Sequence, residues 1–230
     1  MSSGAWDGDD FLRVIRKGLH NPTTKEVTDS DILGHYLQKA QVSFASRARF
    51  PQLEAYEDVT TVVDQDEYEL SSSDVLRINN VQGISDGTMP RLKHCSRDNR
   101  IRYGSFTGDP FRWFESSEAA AANVTAVTLV PTPTTAGLVY RVWFQSIPTV
   151  VTANAAGEPA SVSVFGEQWD LALSLKAMAI GLPLSGRPKE ATAMNKAAEA
   201  AWWEARKTLP KAPEKKFHLG SALGAAMRRG

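Results

Sequence analysis

An α+β fold is predicted: a helical bundle core carrying an inserted antiparallel β-subdomain, followed by an extended C-terminal tail. Three observations lead there. Residues 9–50 and 167–209 have helical hydrophobic periodicity, residues 59–145 break into short β-prone runs, and the last twenty residues have the composition of no compact core. The expected organisation is a helical core from 9–55 and 167–209, a β-subdomain at 56–150, a linker at 151–166 and a tail at 210–230.

The first helix is expected from Asp9 and Asp10, acidic residues that favour a helix start. Phe11, Leu12, Ile15 and Leu19 follow at helical spacing, and Asn21-Pro22 stops the run. Thr28-Asp29-Ser30-Asp31 supplies N-cap chemistry for a second helix. Leu33, Tyr36, Leu37, Ala40 and Phe44 form its apolar stripe, and Pro51 is expected to close it.

The period then shortens. Val59 to Val63 and Glu67 to Leu70 read as strands around an Asp64-Gln65-Asp66 turn, and Val75 to Val81 alternates as a half-buried strand. Residues 83–99 are polar and broken by Gly and Pro, so loop with at most one strand is expected. Three further strands are expected at 111–115, 124–130 and 138–144, with Pro131, Pro133 and Gly137 turning the chain between the last two.

Residues 167–182 predict a helix with two apolar stripes, one of Trp169, Leu173 and Ile180, the other of Leu171, Leu175, Met178 and Leu182. Such a helix is packed on more than one side. Pro183 and Gly186 end it, and Pro188 suits the first turn of a last helix to about 208. Ala191, Met194, Ala198, Ala201 and Ala205 line one face of that helix, where small side chains permit close approach. Trp203 falls on the charged face with Lys196, Glu199 and Lys207, as a core edge or a subunit contact. Trp169, Leu171, Leu175, Met178, Trp202 and Trp203 are the candidate subunit interface.

Composition narrows the function. Lysine and arginine number 26 and so do aspartate and glutamate, giving a net charge of zero. From residue 211 onward the tail is +4, leaving the body at −4, a balance unlike that of a dedicated DNA-wrapping protein. The single cysteine, Cys95, permits no internal disulfide. Neither a signal peptide nor a membrane-spanning run is seen, so a soluble protein made in the cytoplasm is expected.

Chemistry is sparse. His94-Cys95 pairs a base with a thiol, but strand neighbours point to opposite faces. Four scattered histidines lack zinc spacing, and Asp64-Gln65-Asp66-Glu67 lacks the glycine and bidentate glutamate of a calcium loop. No catalytic residue, metal site or cofactor is expected, and the protein is not expected to be an enzyme. Arg97, Arg100 and Arg102, near Tyr103 and Phe106, interleave basic and aromatic residues as single-strand binders do, although Asp98 and Asp109 balance them. The tail mixes Lys215, Lys216, His218, Arg228 and Arg229 with Phe217, Leu219, Leu223 and Met227. A frayed end has no need of four sizeable apolar residues, whereas a segment that orders on binding does.

Several segments resemble tailed-phage head-to-tail adaptor (connector) proteins. They are Thr28 to Gln41, Glu67 to Val81, Gly108-Asp-Pro-Phe111, Val127 to Pro133 and Leu138 to Phe144. The resemblance covers most of residues 10–205, and its motifs are structural rather than catalytic. It implies a helical core with a β insertion, and a ring of about twelve copies. That ring would dock under the portal protein, meet a neck or tail-completion protein, and continue the channel through which packaged DNA passes. It further implies a virion protein of the head–tail junction, whose tail (Lys215 to Leu219, Leu223, Met227, Arg228, Arg229) enters portal clefts. A tail-side stopper or tail-completion subunit, a nucleic-acid-binding protein and, last, a hydrolase are the alternatives.

Overall fold

The computed structural model describes residues 4–23, 26–84, 91–95, 106–116, 125–155 and 158–209. The basic tail from 210 onward lies outside the described residues, as do Arg97, Arg100, Arg102 and Tyr103. Helices from both ends of the chain and two β-sheets make up a mixed α and β architecture.

Helix α1 (Gly8–Gly18) starts at Asp7, whose carboxylate accepts the Asp10 N–H at 2.9 Å, and ends with Arg16 and Lys17 on the carbonyl-rich last turn. His20 and Asn21 then take left-handed backbone conformations that reverse the chain. Reciprocal caps follow. The Asp31 carboxylate accepts the Thr28 N–H at 2.9 Å while Thr28 Oγ1 accepts the Asp31 N–H at 3.1 Å. The Thr28 hydroxyl also donates to that carboxylate at 2.7 Å, and this bond first, then the Thr28 N–H, holds the Asp31 carboxyl below its ordinary pKa.

The second helix opens as a π-helical stretch, Asp31–Leu37, and continues as α2 (Gln38–Ala45). The stripe read from the sequence is buried throughout: Leu33, Tyr36, Leu37, Ala40 and Phe44, with Ile32 added by the wider turn. The helix ends at Ala45, before Pro51, which instead begins a 3-10 turn, Pro51–Leu53. Its terminal carbonyls are taken by the sheet, since Gln145 Nε2 donates to Ala45 O at 2.8 Å and to Ala48 O at 3.2 Å, and Arg77 donates to Ser46 O.

Among the described residues seven strands follow: β1 (Glu54–Thr60), β2 (Glu67–Glu69), β3 (Val75–Gly83), β4 (Lys93–His94), β5 (Arg112–Ser116), β6 (Ala126–Val130) and β7 (Val139–Ser146). They form a three-stranded sheet of order β1-β7-β3 and a four-stranded sheet of order β2-β6-β5-β4. Val59, Ile78, Val81, Val142 and Phe144 of the first share one core with Tyr68, Trp113, Val127 and Leu129 from the second and with Leu92, just before β4. Two expectations are corrected. The insert is not wholly antiparallel, because β4 runs parallel to β5. β1 starts five residues before Val59, and Val62 and Val63 stand exposed beyond it. Its polar residues are tolerated because it is an edge strand whose Asp58 takes a forked ion pair from Arg141 on β7, both bonds 2.8 Å.

Helices α3 (Asp170–Gly181) and α4 (Pro188–Arg206) return the chain to the helical side. Gly186, with φ 75°, supplies the left-handed turn between them. The expected small-residue face of α4 is the buried one: Ala191, Ala198 and Ala205 lie within the fold. Where a linker is expected, Val151 and Phe165 are buried in the core that the helices share. The centre of that core is aromatic. Phe165 and Trp169 approach the Phe50 ring at 4.7 and 5.0 Å, and Trp169 lies 6.3 Å from Trp202, mostly edge to face. The chain start is closed onto this core, since the Gly8 N–H bonds Ser161 O at 3.0 Å and a Cβ at Gly8 would sit 2.1 Å from Thr152 O.

Candidate functional site

No group of three or more histidine, cysteine, aspartate or glutamate side chains among the described residues could hold a metal ion. Cys95 is buried and its thiol is pushed up in pKa by that burial, the opposite of what a nucleophile needs. The neighbouring His94 is exposed and meets the Trp113 ring at 4.7 Å.

The candidate subunit interface divides by burial. Trp169 (0% exposed), Trp202 (1%) and Met178 (6%) pack into this chain's own core. Leu175 is half-buried. Leu171 (56%) and Trp203 (54%) are the two that face outward. Helical geometry gives the reason. Trp202 and Trp203 are adjacent and thus about 100° apart round α4, so only one can face the α3 side.

Trp203 is held rather than loose. Its ring packs edge-on against Trp202 at 4.9 Å, and the Arg206 guanidinium lies 5.2 Å from its centroid. On Trp202, Arg47 sits 4.2 Å from the ring centre and makes a forked pair with Glu199, both bonds 2.7 Å. The Arg47 hydrogen bonds hold the Glu199 carboxyl below its usual range. A preorganised aromatic ring flanked by arginine is the composition of an interface anchor.

A cleft of about 500 Å³ lies among Leu19, His20, Val27, Tyr36, Leu184 and Arg187. Leu184, at 71% the most exposed large apolar side chain among those described, stands at its rim. His20 Nε2 and Glu190 Oε2 are 2.7 Å apart close by, and that contact lowers the Glu190 pKa.

The outer face of β1-β7-β3 carries a second aromatic patch that sequence reading passed over. Tyr56 and Trp143 are cross-strand partners with ring centres 5.1 Å apart, and Arg141 lies 4.1 Å above Tyr56. The signal was present in the alternation along 138–144: Tyr140 and Val142 turn inward, so Arg141 and Trp143 turn outward.

No helix among the described residues is long and apolar enough to cross a membrane. No curated protein matches the chain. The family model for the SU10 adaptor protein matches residues 7–215, which span both helical segments and the whole β-layer. With this match over most of its length, the chain belongs to the SU10 adaptor protein family, a bacteriophage head–tail adaptor family whose members are structural components of virus assembly.

Proposed function

We propose that the protein is a structural adaptor subunit that closes into a ring, seats against the portal protein at the head–tail junction and continues the DNA channel toward a neck or tail-completion protein. The observation that carries this reading is the family match over residues 7–215. In this proposal the protein acts without a catalytic step, its helices form a bundle core from 9–55 and 167–209, and the β-subdomain 56–150 is the inserted module, joined by 151–166. Ring closure needs a heterologous interface, in which two different surfaces of one chain meet on adjacent copies. Leu171 and Trp203 are positioned for such contacts. The tail, with Lys215, Lys216, Phe217, His218, Leu219, Leu223, Met227, Arg228 and Arg229, is the portal-docking element, and each weak contact is multiplied round the ring.

Electron microscopy of the purified protein mixed with the portal encoded beside it tests this reading. A ring capping the portal is expected, and deletion of 211–230 should leave a folded protein that no longer attaches. Attachment by the truncated protein would remove the docking role of the tail. Binding to isolated tails, with none to portal, would move the protein to the stopper class.

A further inference from the structure

The two sheets meet along two opposite margins of the β-layer. At one, the chain passes from β1 to β2; at the other, β3 lies beside β4. These margins carry opposite charge. Residues 61–70 hold Asp64, Asp66, Glu67 and Glu69 with no lysine or arginine, whereas residues 91–95 hold Arg91, Lys93 and His94 with no acid.

The margins also differ in shape. Between β3 and β4 is a cleft of about 400 Å³, walled by Asn79 and Asn80 on one side and by Arg91, Lys93 and His94 on the other. Asn79 Nδ2 is buried and has no hydrogen bond among the described residues. The opposite margin is a turn with an exposed tip. Asp64 is left-handed, at φ 61°, and turns the chain so that Val62 and Val63 stand 52% and 48% exposed directly before the acids. These two adjacent β-branched side chains give the turn an apolar tip beside its acids. β2 and β4 are the first and last strands of one sheet, so knob and cleft are separated by three strand spacings, about 14 Å, and face apart.

We propose that the occupant of the cleft is a second copy of this chain: the 61–70 turn of one subunit enters the β3–β4 cleft of the next, with its acids on Lys93 and Arg91. Such a contact is heterologous, repeats head to tail, and cannot satisfy itself within a two-fold dimer of one interface. Complementary charge fixes its register and excludes the like-charged alternatives. The inference rests on the ring reading above and adds the surfaces that close the ring.

The test uses the full-length chain, alone and mixed with portal, with assembly followed by sedimentation and electron microscopy. Lys93→Glu and Glu69→Lys, both at exposed positions, should each reduce assembly about tenfold or more with an unchanged thermal transition. Val63→Ser, removing the apolar tip, should do the same. An equimolar mixture of the Lys93→Glu and Glu69→Lys proteins should assemble again, because alternating copies restore opposite charge at every contact. Wild-type assembly that both single variants match would overturn this interface and leave the ring intact. Loss in the single variants without recovery in the mixture would overturn the pairing. A wild-type chain that never assembles, with or without portal, would remove the ring reading and this inference together.

Discussion

Asp170 and Trp6, 164 residues apart in sequence, are joined at 2.7 Å by a hydrogen bond from the Trp6 backbone N–H to the Asp170 carboxylate. Asp170 is the first residue of α3 and only 1% exposed, so this bond ties the start of the chain to the returning helix inside the core. Its other oxygen, Oδ1, is buried and unpartnered among the described residues. Burial raises the Asp170 pKa to about 6, the Trp6 bond opposes it, and the charges of Glu167 and Asp10 add to it.

A carboxyl raised in the folded state favours folding when protonated. The contribution of Asp170 is therefore fully present below the unfolded value near 4 and is lost as pH rises through about 6, a fall on the order of 2–3 kcal/mol. Asp170→Asn keeps an acceptor for Trp6 without the charge. Urea unfolding from pH 4 to 8 should show a flatter profile for the variant and higher stability above pH 6. An unchanged slope would refute the assignment to this residue.

Trp202 and Trp203 should separate fold from assembly. Trp202→Ala empties a fully buried site and should cost about 3–5 kcal/mol by denaturant unfolding. Trp203→Ala should change stability by less than about 1 kcal/mol yet weaken ring or portal association. Equal losses in stability for both would contradict the division.

Gln145 links the sheet to α2 through Ala45 O and Ala48 O, and its Oε1 accepts from Arg77 at 3.2 Å. Gln145→Met keeps the volume but strands both buried carbonyls, so a loss of about 1–3 kcal/mol is expected in chemical denaturation. A neutral result would mean that the carbonyls find other donors.

The Arg47–Glu199 fork is about one-third exposed on each side, which limits its worth through solvent screening. A double-mutant cycle with Arg47→Ala and Glu199→Ala should give a coupling energy of about 0.5–1 kcal/mol that shrinks with added salt. Coupling above about 3 kcal/mol would show a pair far better shielded than this geometry implies.

At Gly8 even one methyl group would collide with the Thr152 carbonyl, a backbone atom that cannot rotate away. Gly8→Ala should therefore destabilise the protein by about 1–3 kcal/mol and speed hydrogen exchange at Ser161 and Gly8. Unchanged exchange at both amides would show that the N-terminal segment is not fixed by this contact.

Local chemistry in the sequence determined the helix starts, through Asp9, Asp10 and the Thr28–Asp31 cap. Periodicity determined the inward faces, because Phe11, Ile15, Tyr36, Leu37 and Phe44 need a common partner whatever the fold. It also marked the alanine face of α4 and the sheet strands rich in β-branched residues. Tertiary structure decided the rest. The end of α2 depends on Gln145 and Arg77, donors that lie far along the chain and carry no local signal. β4 exists by pairing with β5, and two residues are too short to show a period. Trp169, Met178 and Trp202 were legible as apolar but not as internal, since an apolar stripe states only that water is excluded. Whether its own chain or a neighbour excludes the water is set by how α3 and α4 rotate against each other in the packed core.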